Sequence, residues 1–202
     1  MVVLANRIAF FLSKNGIIEK DDEPIYVYGA EVFLNQAAAI IATLIIGLLS
    51  GQMSNLAIFM TAYFALRGCA GGYHASSHLR CFICSVFICI VNVVLFNWVP
   101  FHIKDVLTAI MIIVGSVTLI ATAPSQNLVN PKTIDDLRRN KMKMIVWIIV
   151  LTAAAVALWL SNIGEKIYFS IACAFITVTI LSGINSFQYI LRRKNDEERI
   201  RD

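Results

Sequence analysis

Between residues 67 and 84 the chain reads Arg67-Gly-Cys-Ala-Gly-Gly-Tyr-His74-Ala-Ser-Ser-His78-Leu-Arg-Cys81-Phe-Ile-Cys84. Cysteine beside histidine is the smallest side-chain set that supports covalent acyl transfer. The sulfur attacks only as thiolate, and a neighbouring imidazole or the positive end of a helix dipole lowers the cost of ionising it. Gly68, Gly71 and Gly72 permit a tight, non-helical backbone. Ser76 or Ser77 is suited to cap a helix that starts just before Cys81. The segment therefore predicts a thiol in the first turn of a helix, preceded by a turn.

Spacing constrains the partner. His74 and Cys81 are seven residues apart, which on one continuous helix is the same face but about 10.5 Å of rise, too far for a hydrogen bond. A Cys81–His74 pair requires the chain to turn between Tyr73 and Ser77. His78, three residues before Cys81, reaches it on a regular helix, so geometry alone favours His78. Two other chemistries use the same residues. His74, His78, Cys81 and Cys84 stand at steps that suit tetrahedral zinc, but a tightly held zinc would quench the nucleophile. Cys81 and Cys84 have the spacing of a thiol–disulfide exchange pair, which a cytosolic position disfavours. Neither a metal nor any other cofactor is expected.

The elements that position these residues are membrane helices. Of 202 residues, 58% are hydrophobic and only 15% charged, against roughly 45–50% and about 25% in soluble domains. The apolar residues form runs that are apolar all round, separated by short polar stretches, which is the pattern of helices in lipid. At about 20 residues per crossing, six runs qualify, near residues 28–49, 53–66, 82–99, 106–123, 144–160 and 167–190. The second is short enough to be re-entrant or partly buried. Residues 4–18 mix apolar and basic residues as a helix lying in the membrane interface does. Asn92 and Asn97, inside a run, are expected to hydrogen-bond between helices. The reading is an all-α integral membrane protein, with residues 1–202 as one domain. A net charge of +4 does not imply nucleic acid, because the charges sit where lipid head groups would be.

Orientation follows from those charges. Of the 17 basic residues, only Lys104 and Lys166 fall in the loops on one side. The basic residues of the other side flank Cys81 or occupy the termini and the stretch Lys132, Arg138, Arg139, Lys141 and Lys143. The positive-inside rule then puts both termini and the cysteine segment in the cytosol. The five cysteines are odd in number and clustered there, a poor disulfide framework.

This segment resembles the accessory gene regulator B (AgrB) family of membrane endopeptidases. The likeness lies in Arg67, in the run Gly71-Gly72-Tyr73-His74-Ala75, and in Cys81 seven residues past that histidine. Ala123-Pro124 followed by a basic stretch is also similar, as are length and topology, so the likeness covers essentially the whole chain. The resemblance implies a cell-membrane cysteine endopeptidase that cuts a small AgrD-type propeptide through an acyl-enzyme and promotes closure of a thiolactone or lactone signal peptide. It implies Cys81 as nucleophile and His74 as base, overriding the geometric preference for His78. Arg67, Gly71, Gly72 and His78 would support them. It also implies a homodimer. Lys132 to Lys143 would attract an acidic propeptide tail by charge complementarity, or serve only to fix topology. The reading from a different class is a small transporter or peptide exporter without covalent chemistry.

Overall fold

The computed structural model describes residues 2–70, 78–124, 133–161 and 167–201, which among themselves form seven α-helices and no strand. These are α1 Val2–Lys14, α2 Glu23–Ser50, α3 Met53–Ala70, α4 His78–Trp98, α5 Lys104–Thr122, α6 Ile134–Leu160 and α7 Tyr168–Arg201. Without water in the hydrocarbon layer every backbone polar group must pair within its own segment, and a helix does this. Five of the helices (all but α1 and α3) are long and apolar enough to cross a membrane. The chain divides into two compact units, residues 1–51 with 75–90 and residues 52–74 with 91–202.

In the first unit α1 packs on α2. The residues it buries completely are Ala5 and Ala9, whose small side chains let two helix axes approach. Its larger apolar residues, Val2, Val3, Leu4, Phe10 and Phe11, remain exposed, as expected of a helix whose outer face meets the acyl boundary of a membrane. The first helix stops at Gly16, whose φ of +68° is the left-handed conformation that glycine adopts without strain. Gly51 (φ +67°) ends α2 in the same way, its N–H bonding to the Gly47 and Leu48 carbonyls. The Thr43 hydroxyl of α2 lies 3.3 Å from the Cys89 sulfur of α4.

In the second unit α7 packs chiefly against α5 and α3. Tyr168 donates to Asp105 at the first turns of α7 and α5, and further along the Thr179 hydroxyl reaches the Gly115 carbonyl. These two helices therefore run parallel, with α6 as the return. Their approach is close at Gly115: a Cβ built there would lie 2.9 Å from the Phe175 Cβ. Every side chain from Tyr168 to Phe175 is buried, so this half of α7 is a core helix that needs no polar face.

Four expectations change in detail. The short second run is a helix of 18 residues, Met53–Ala70. It buries Asn55, Leu56, Phe59, Ala62, Tyr63, Leu66, Cys69 and Ala70, which explains a lower hydropathy: protein rather than lipid covers it. From Ile134 on the basic stretch is helical, since α6 starts there, ten residues before its apolar run. The last helix continues past residue 190 to Arg201. Asn97 accepts a hydrogen bond from Gln52, which lies in the turn between α2 and α3 and not on a helix, whereas the buried Asn92 side chain has no partner among the described residues.

Candidate functional site

α4 begins at His78, which makes Cys81 its fourth residue. The thiol thus lies on α4 close to the first of its described residues. Cys81 is half-buried, while Cys84 is exposed. One turn on, the Ser85 hydroxyl donates to the Cys81 carbonyl over 3.0 Å, a local bond that leaves the sulfur untouched. Cys69, Cys89 and Cys173 are buried, in keeping with packing roles.

Arg67 occupies the last turn of α3. Its guanidinium donates to the Tyr63 hydroxyl one turn earlier and lies 5.4 Å from the centroid of that ring. Gly71, Gly72, His74 and Lys132 lie outside the described residues, as do the serines proposed as caps and the side chain of His78. The fold-back of His74 onto Cys81, and the histidine-containing metal reading, rest on those residues.

The basic residues at the start of α6 are held by a clear local device. Thr133 is extended (φ −68°, ψ 160°) and its hydroxyl oxygen accepts from the Asp136 N–H at 3.2 Å. The same hydroxyl donates to the Asp136 carboxylate at 2.8 Å, closing a reciprocal cap. Asp135 and Asp136 place negative charge where the dipole is positive. Arg139 bonds Asp136 over 2.8 Å; both are well exposed, so this pair contributes only about 0.2–1 kcal/mol. Arg138, Arg139, Lys141 and Lys143 are all exposed on the helix surface.

A further cluster escaped the reading of the sequence, which counted Lys104 as a loop charge. Lys104 is the first residue of α5 and is only 6% exposed. Its ammonium sits 3.9 Å from the Phe96 ring centroid, a desolvated cation–π contact worth about 2 kcal/mol. Asp105 beside it accepts from Tyr168, so the start of α5 is held by both residues.

The architecture is that of a multi-pass helical membrane protein, with the half-buried Cys81 on α4. Residues 5–189 match the model of the Accessory gene regulator B family. The chain belongs to that family. It is also 26% identical over 187 residues to an AgrB-like protein of Lactiplantibacillus plantarum, an alignment covering 89% of this chain and 90% of that one. No solved structure matches. The family's setting is the processing of quorum-sensing peptides.

Proposed function

We propose that this chain, acting as one domain in the cell membrane, is a cysteine endopeptidase that removes the C-terminal tail of an AgrD-like propeptide on the cytosolic face. Support comes above all from one observation: Cys81 follows His74 by seven residues in a chain of the AgrB family, and it lies on α4 half-buried. The Cys81 thiolate attacks the scissile carbonyl and forms a tetrahedral oxyanion. Collapse breaks the C–N bond, and the imidazolium of His74 gives its proton to the departing amine of the tail. The signal segment is left as a thioester on Cys81. An internal thiol or hydroxyl of the peptide then attacks that carbonyl, losing its proton to the imidazole, and the Cys81 thiolate leaves. The product is a thiolactone or lactone. A site at the membrane boundary helps because water must lose the competition for the acyl-enzyme. Arg67 either stabilises the oxyanion or pairs with the tail. Arg138, Arg139, Lys141 and Lys143, with Lys132, dock the acidic tail. The protein acts as a homodimer.

The test is co-expression with the propeptide, scoring cleavage on a gel. Cys81→Ala and His74→Ala each abolish the cut, and Cys84→Ala leaves most of it. If His78→Ala kills cleavage while His74→Ala does not, the assigned base is wrong. Alkylation of the thiol blocks the reaction and a metal chelator does not. Cleavage that survives Cys81→Ala removes the whole reading.

A further inference from the structure

Two layers of side chains occupy the end of the second unit where α4 finishes and α5 and α7 begin. In the first, the Lys104 ammonium lies 3.9 Å from the Phe96 ring centroid and 5.9 Å from that of Phe169, and the two rings are 6.4 Å apart. Residues four apart on a helix share a face. The faces that meet in this layer therefore continue one turn inward to Asn92 on α4, Thr108 on α5 and Cys173 on α7.

That second layer is polar and sealed. Asn92 is 2% exposed, Thr108 7% and Cys173 3%. Neither polar atom of the Asn92 amide, nor the Thr108 hydroxyl, has a hydrogen-bond partner among the described residues. Cys173 lies within electrostatic reach of the Lys104 charge, as expected of a side chain under the same lid. An amide offers two donors and an acceptor, and a hydroxyl offers both. Buried groups of this kind are almost always satisfied, by protein or by ordered water. Asn, Thr and Cys are also much smaller than the Lys and Phe of the layer above, so three helices spaced by the large residues leave room between the small ones. A water needs little more than its own volume and two to four polar partners.

We propose that Asn92, Thr108 and Cys173 line an internal hydration site, in which ordered water takes the amide and hydroxyl hydrogen bonds beneath a lid formed by Lys104, Phe96 and Phe169. Water enters from the Lys104 end, the mouth of the helix bundle, when the ammonium swings off the rings. The site is eleven residues along α4 from Cys81, about 16 Å of helix rise. It is separate from the peptidase reading and stands whether or not that reading does.

The experiment is X-ray radiolytic footprinting of the full-length protein in lipid nanodiscs, where radicals made from bound water modify the side chains beside it. Cys173 is expected to be labelled severalfold faster than Cys89, which is equally buried, and Phe96 faster than Phe175. Asn92→Leu with Thr108→Val should bring Cys173 down to the level of Cys89 while Cys89 itself is unchanged. If the double variant does not fold, the nearly isosteric Thr108→Val alone carries the comparison. Labelling of Cys173 no faster than Cys89 overturns the proposal. So does labelling that the variants leave unchanged, or a Thr108→Val protein that melts higher than the parent, which would mark the hydroxyl as simply uncompensated.

Discussion

Replacing Gly115 by alanine adds a single methyl group where two parallel helices touch. That Cβ would meet the Phe175 Cβ at 2.9 Å, the Phe175 carbonyl carbon at 3.4 Å and its Cδ1 at 3.5 Å. Carbon atoms in optimal contact are about 3.5–4.0 Å apart. Two of the three neighbours are anchored at the α7 backbone and cannot rotate away, so the helices must separate by several tenths of an ångström or more. Phe175 and Ile171 are buried and Ser170 is fully enclosed, so the movement is felt along the whole contact. Overpacking of this kind costs about 1–3 kcal/mol. Alanine nonetheless gains up to about 1 kcal/mol over glycine from helix propensity, which sets the net destabilisation near 0–2 kcal/mol, or a melting point lower by a few degrees. The internal control is Gly183→Ala on α7, where nothing lies within 4 Å of the added Cβ. There the propensity gain of up to about 1 kcal/mol stands alone and the midpoint rises. Thermal unfolding of both purified variants in nanodiscs, followed by circular dichroism, reads the difference. Gly115→Ala melting at or above Gly183→Ala would refute the close α5–α7 approach.

Three other outcomes are expected. Thr133→Ala removes the cap of α6 at a cost of about 0.5–2 kcal/mol, and hydrogen exchange should rise at residues 134–138 while the rest of the helix keeps its protection. Lys104→Met keeps the apolar stem but loses the cation–π contact of about 2 kcal/mol; its melting point should fall, with Lys104→Arg restoring most of the loss. Arg138→Glu with Arg139→Glu should raise KM for an acidic-tailed propeptide with little change in kcat, and the effect should shrink at high salt because exposed charges are screened.

Much of this molecule can be read before folding it, and the failures have causes. Twenty apolar residues in a row have one outcome in a bilayer, so the long helices were legible from composition. Lipid-facing and protein-facing apolar residues look alike in sequence, and the central burial of α3 and of the first half of α7 was therefore hidden. The start of α6 lies ahead of its apolar run, where charge alone does not separate helix from loop. Thr133 with Asp136 three residues later already carried the capping signal. At the candidate site a helix carrying Cys81 was legible from the apolar run that follows it, while the serines expected to cap it lie outside the described residues. The partner of Cys81 was not, since a fold-back depends on turn geometry that residue spacing does not encode. Lys104 reads as a loop charge because Pro100 to Ile103 is an exposed turn, and nothing in the spacing shows that Phe96 at the end of α4 and the distant Phe169 close over its ammonium.

The capped start of α6 turns four separate cations into a ruler. On a flexible strand, Arg138, Arg139, Lys141 and Lys143 would have to be gathered afresh by each visitor, and the ordering entropy would offset much of the Coulomb attraction. On a helix begun by Thr133 their intervals are fixed beforehand. If an acidic segment docks there as proposed, it would meet a set spacing, and the register of its own carboxylates would count as much as their number.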